Sequence, residues 1–359
     1  MLTAIGTRAK SFIDGSEPWT NVYGLARTMI ALATAATLVA TPMEALFHPL
    51  AGVANGPPFC SDALQSVGFF CVLPPERIQW MRWIAVAILL VVASGWRPRL
   101  TAIPHWWIAM SLAINAALIE GGDQVAAVLT LLLLPVALTD SRKWHWDPAP
   151  PRVDSLRSDA RRLVARVAYT LVRVQVAVIY FHAAIGKLGA PEWQDGTALY
   201  YWLLHPTFGA PAWLAPAMRV ALANGTFVTL LTWSVLVVEY ALSAALFMPK
   251  RRWKVMLACG FALHGGIIVI HGLVSFGTVM LAALILFLRP WETSFSWDAR
   301  GALTARRLAR SASLLWQGLH ARQEPLVALV LQAGRHVLAP LRAHAGQVRP
   351  APRAVDPAA

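Results

Sequence analysis

Apolar runs close to the length of a bilayer crossing recur from residue 23 to residue 289, and this repetition constrains the chain more than any single motif. In hydrocarbon such a run satisfies its own backbone only as a helix, because lipid offers no hydrogen-bond partner. About eight runs are read, near 23–42, 79–95, 104–120, 122–139, 166–187, 226–248, 253–273 and 275–289. The predicted fold class is therefore an all-α integral membrane protein, a bundle of about eight transmembrane helices with a basic amphipathic C-terminal tail. Composition points the same way, since 57% of the 359 residues are apolar and only 14% charged, against roughly 25% charged in a soluble domain.

A formal charge of +13 in a soluble chain would raise the question of nucleic acid. Here the charges lie between apolar runs and in the tail, so the expected partner is the lipid bilayer and no nucleic acid. Arg97 and Arg99, then Lys143, Arg152, Arg157, Arg161 and Arg162, then Lys250, Arg251, Arg252 and Lys254 fall in every second connection. The positive-inside rule then predicts a multi-pass protein of the cell (inner or plasma) membrane with both termini cytoplasmic. Residues 1–18 read as a cytoplasmic N-terminus without the apolar core of a signal peptide. Residues 19–290 form the transmembrane domain and 291–346 a basic interfacial tail. A ninth span over 325–341, interrupted by Arg335 and His336, is the competing reading of that tail. The Pro/Ala-rich end, 347–359, reads as disordered.

Three cysteines exclude a paired CxxC zinc framework. Cys60 and Cys71 share one outward, Pro/Gly-bearing loop, where an oxidising compartment allows a disulfide and the bridge is expected; two unpaired thiols are the alternative. Cys259 stands alone in an apolar run.

The uninterrupted apolar part of the fourth run, residues 125–138, rises only about 21 Å at 1.5 Å per residue, short of the roughly 30 Å hydrocarbon core. Either helix extends back into the GGDQ segment, drawing Asp123 and Gln124 toward the membrane, or the bilayer thins. An ionisable group at that depth is a functional candidate; a wetted acidic turn bent at Gly121 and Gly122 is the alternative. Residues 173–196, RVQVAVIYFHAAIGKLGAPEWQDG, place Arg173, Tyr180, His182 and Lys187 in or beside one span. Arg173, Tyr180 and Lys187 are seven apart and share a helical face. Desolvation at the outer end of that span would favour the neutral amine of Lys187, a usable general base, whereas a snorkelling lysine is the structural alternative. Glu239, His264 and His271 also lie inside spans, and Glu239 is expected to pair with Arg173 or a histidine. No HxxxH or ExxH spacing occurs, so no metal is assigned, and interhelical hydrogen bonding explains the same residues.

The run from Arg173 through Tyr180-Phe181 and Lys187-Leu188 to Trp193 and Gly196 resembles the signature of the HTTM (horizontally transferred transmembrane domain) superfamily. Its animal members form the membrane part of vitamin K-dependent gamma-glutamyl carboxylase. The segments PWTNVYGLARTMIALATAATLVAT, the paired-Cys loop, SGWRPRL, GGDQVAAVLTLLLLPVALTD and WHWDP resemble more closely the bacterial sporulation-delaying protein B-like branch. The resemblance covers about residues 18–290. It implies Lys187 as the base acting on a lipid-soluble quinol, with Tyr180, Asp123, Gln124 and Trp193 orienting substrate. It departs from the carboxylase where Gln124 stands in place of an active-site histidine, since Gln cannot shuttle a proton. The bacterial branch implies maturation of a secreted antimicrobial peptide, or its precursor, at the outer face. The competing function is a non-catalytic membrane scaffold that binds or exports such a peptide.

Overall fold

A computed structural model describes residues 10–15, 17–47, 60, 62–118, 120–149, 151–290 and 293–295. The chain divides into two units, Met1–Phe295 and Ser296–Ala359, and all described residues belong to the first. The expected interfacial tail, the ninth-span alternative and the disordered end fall outside the described residues.

Eight helices of fifteen residues or more carry the described unit: α1 (Asn21–Ala40), α2 (Ile78–Ser94), α3 (Pro98–Asn115), α4 (Gly121–Thr139), α5 (Leu156–Lys187), α6 (Gly225–Ala244), α7 (Lys250–His271) and α8 (Val274–Leu288). Five stretches are long and apolar enough to cross a membrane: α1, α4, α5, Gly225–Phe247 and α7; α2 and α8 are shorter apolar helices. The protein is thus an all-helical, multi-pass membrane protein. No strand is present among the described residues, apart from one isolated bridge between Trp96 and Trp144.

Two helices depart from the runs read in the sequence. Helix α3 starts at Pro98 rather than 104 and ends at Asn115, because proline suits the first helical turn and Ala116 is already extended. Helix α5 starts ten residues before its apolar run. Ser155 caps it, its Oγ accepting from Ser158 N at 3.2 Å. The added basic turns are stabilised by tertiary contacts: Arg161 Nε donates to Thr139 O at 3.0 Å, and Arg162 pairs with Glu17 at 2.7 Å.

Helix α8 is apolar all round, as a helix at the centre of a bundle must be. Residues 282–288 are all buried, and the helix packs on α1, α4, α5 and α7. Around it Tyr23, Ala126, Leu129, Tyr169, Val172 and Val176 join its Phe287 in the main core, while Leu38, Phe70, Leu89 and Leu112 form a second core between α1, α2 and α3. Cys60 and Cys71 are joined by a disulfide that closes the loop leading to α2.

Candidate functional site

The length argument for the fourth run has a structural counterpart. Helix α4 begins at Gly121, so Asp123 is buried at 6% exposure and Gln124 occupies the first turn. Gly122 permits the close approach, since a Cβ there would lie 2.7 Å from Phe276 Cα on α8. Beside this contact α4, α5, α6, α7 and the start of α8 leave a cavity of about 1290 Å³. Its walls are mostly apolar, with Val125, Ile179, Val238, Ile267 and Met280 among them, and its polar groups gather near the end of α5.

Lys187, in the last turn of α5, lines this cavity and donates to Glu239 Oε1 on α6 at 2.7 Å and to Ala183 O at 3.3 Å. Its Nζ stands 5.4 Å from the centre of the Trp193 ring. The side chain is only one-quarter exposed, so it turns into the bundle and does not extend toward bulk water. Glu239 is 7% exposed, and its Oε2 is buried without a hydrogen-bond partner. One turn below Lys187's own contacts, Tyr180 Oη and His264 Nε2 are 2.8 Å apart, joining α5 to α7, while His264 Nδ1 is buried and unpartnered. Phe276 packs edge-on against the His264 ring at 5.7 Å.

The segment between α5 and α6 forms another wall. Trp193, Leu199, Trp202, Leu203 and Phe208 line the cavity from this side. Leu199 N donates to Thr232 Oγ1 at 3.2 Å, and His271 Nδ1 donates to Phe208 O at 2.6 Å, so α6 and α7 both hold the segment. His271 therefore works as a latch to the backbone.

Lys187, Tyr180, Gln124, His182, Trp193, Glu239, His264 and His271 thus converge on one cavity. Three expected residues do not. Arg173 shares a helical face with Lys187, but fourteen residues separate them by about 21 Å along the axis, and its guanidinium stacks over Trp253 at 4.6 Å instead. Glu239 pairs with Lys187, not with Arg173 or a histidine. Asp123 is buried beside the cavity without lining it. Gly196 has φ +82° and its missing Cβ leaves room for Thr229 at 2.6 Å, which makes it a packing position on the wall segment. No group of three His, Cys, Asp or Glu side chains suited to a metal occurs among the described residues, and His264 and His271 have separate partners. Gln175 and Cys259 line the cavity as well, although a single polar residue in an apolar run gave no sign of it.

The HTTM domain family matches residues 133–291. YitO, an uncharacterized protein of Bacillus subtilis (strain 168), is 38% identical over 286 residues, 79% of this chain and 90% of that protein. The sporulation-delaying protein SdpB of the same organism is 34% identical over 291 residues, 80% of this chain and 87% of its own length. No solved structure matches this chain. With identity of this order sustained over four-fifths of the chain, and with the matched region supplying most of the cavity, the protein belongs to the HTTM-domain family.

Proposed function

We propose that this is a cell-membrane protein, with both termini cytoplasmic, that matures or modifies a secreted peptide, and that the Lys187 cavity is its working site. Similarity to SdpB supports the process. The observation that carries the site is the Lys187–Glu239 ion pair at the polar end of a large apolar cavity, since paired charges inside a bundle are costly unless function or structure requires them. The alternation of basic connections supports the orientation, which places Lys187, Trp193 and the Cys60–Cys71 loop on the outer side.

A lipid-soluble quinol, the cofactor that the family resemblance implies, fits this donor set: apolar walls suit an isoprenoid chain, and Lys187, Tyr180 and His264 offer polar contacts for a ring oxygen. When bound, a quinol supplies redox chemistry that side chains lack. Gln124 contributes a hydrogen-bonding amide on the opposite wall and exchanges no proton.

The scaffold reading draws on a different observation. Tyr201, Trp202, Trp213 and Val220, in the wall segment and the helix after it, are large apolar groups 49% to 78% exposed, a surface on which an apolar peptide could rest. One experiment separates the two. In a host lacking its own copy, Lys187→Ala should accumulate to the parent level while the mature secreted peptide disappears from the medium, as read by mass spectrometry. Unchanged secreted peptide with Lys187→Ala leaves only the scaffold.

A further inference from the structure

An ammonium group has three N–H donors and no lone pair. In this cavity two of the three are accounted for, by Glu239 Oε1 at 2.7 Å and Ala183 O at 3.3 Å. Around the nitrogen stand a carboxylate in direct contact, a carbonyl oxygen, and the face of the Trp193 ring at 5.4 Å, each of which accepts a hydrogen bond or presents negative charge density to an ammonium group. The other titratable side chains lining the cavity are Tyr180 and His182 on α5 and Cys259, His264 and His271 on α7; none of these is a carboxylate that could draw Glu239's charge away. Lys187 itself borders the open volume, so among the described lining residues its remaining N–H is the Lys or Arg donor that the cavity offers.

We propose that Lys187 acts as a fixed, charged hydrogen-bond donor to an acceptor oxygen on an apolar ligand, with Glu239 as the positioning residue that holds the ammonium, and that it is not a proton-abstracting base. The ligand class follows from the cavity: a molecule with an apolar body and a carbonyl-type or ether-type oxygen at its buried end. A free carboxylate or phosphate fits less well, because Glu239 already balances the lysine charge and its Oε2 is an unpaired acceptor beside it. This inference rests on the reading that the cavity is the working site, and it departs from the base role implied by the family resemblance.

The deciding measurement does not depend on activity. The full-length protein in membranes is treated with an apolar N-hydroxysuccinimide ester across a pH series, and acylation of Lys187 is read by peptide mass spectrometry. The parent should react slowly at pH 7.5, and Glu239→Gln should react faster by about tenfold or more, because the amide no longer holds the nitrogen in a charge-assisted hydrogen bond. Equal labelling of parent and Glu239→Gln overturns the proposal. The peptide assay supplies the second arm. Lys187→Arg, which retains charge and donors but has no accessible base form, should keep most of the output that Lys187→Ala loses. If Lys187→Arg is as inactive as Lys187→Ala, the donor role is overturned while the cavity remains the working site. If Lys187→Ala is fully active, the working-site reading itself fails. Should Glu239→Gln not accumulate, Lys187→Arg alone decides.

Discussion

The two ends of this bundle use the same residue types for opposite purposes. At the end where α1, α4 and α5 meet the basic connections, charges and aromatic rings pack closely together. Trp19 Nε1 donates to Val136 O at 3.2 Å, and its ring lies under Arg161 and Arg162 at 5.2 and 5.8 Å. Tyr169 Oη donates to Pro18 O at 3.0 Å. Asp140 and Arg142 form a salt bridge with side chains 0% and 3% exposed, and Arg142 Nη1 also donates to Asp147 O at 2.8 Å. At the other end a lysine, a glutamate, a tyrosine, three histidines and two tryptophans surround an open volume of about 1290 Å³. Loop backbone makes the difference. The basic connections fold back over their charged side chains and supply carbonyl acceptors. The Lys187–Glu239 pair projects from two helix walls, and the segment opposite it contributes mainly rings, so nothing fills the space between.

The comparison predicts that the closed end carries stability and the open end tolerates change. The largest effect is expected for Asp140→Ala, which strands the buried Arg142 guanidinium; loss of one partner of such a pair costs about 3–5 kcal/mol. Thermal unfolding in detergent should show it, and Asp140→Leu combined with Arg142→Met should recover much of the loss. If the single and double variants are equally unstable, the network is not what closes this end.

A smaller effect is expected from pH. His145 sits in the connection between α4 and α5, with Nε2 3.3 Å from Thr28 Oγ1 and its ring against Trp146. Burial, helped by the charges of Arg27 and Arg142, pushes its pKa down from 6.5 to about 2. The unfolded chain therefore takes up the proton first as pH falls below 6.5, and stability declines from there until about pH 2. At pH 5 the loss amounts to about 2 kcal/mol. The unfolding midpoint should fall between pH 7 and pH 5, and His145→Gln should flatten that dependence; an equal slope in the variant would assign it to other groups.

The smallest effects sharpen the contrast within the cavity region itself. Gly122→Ala places a methyl against Phe276 backbone and should cost about 1–3 kcal/mol. Gly266→Ala, on the cavity wall with nothing within 4 Å of the added carbon, should be neutral or stabilise α7 by about 0.5–1 kcal/mol. Equal destabilisation by both would mean that the open volume is not open to an added group.

Much of this was readable from residues alone, and the exceptions share one cause. Apolar run length located the long helices, because hydropathy is a property of each residue in turn. The unusual density of polar groups between Arg173 and Lys187 pointed to a helix that lines the cavity through Tyr180, His182 and Lys187. The short apolar stretch of α4 left either a helix extended over Asp123 and Gln124 or a thinned bilayer, and both residues join the helix. Rotation and depth were not readable. Whether Asp123 or Gln124 faces the cavity depends on how α4 turns against α8, which the Gly122–Phe276 contact fixes from 154 positions away, taking 122 from 276. Glu239 and Lys187 lie 52 residues apart on different helices, so no periodicity connects them. The wall between residues 193 and 208 has no apolar run long enough to announce itself, and it is placed by hydrogen bonds to Thr232 and His271. The sequence determined that the chain lives in lipid, where its helices lie and which one carries a lysine at its C-terminal end, since burying backbone in hydrocarbon depends on local composition. Tertiary structure alone decided which carboxylate holds that lysine and where the space for a ligand remains, because both depend on how separate helices are turned toward one another.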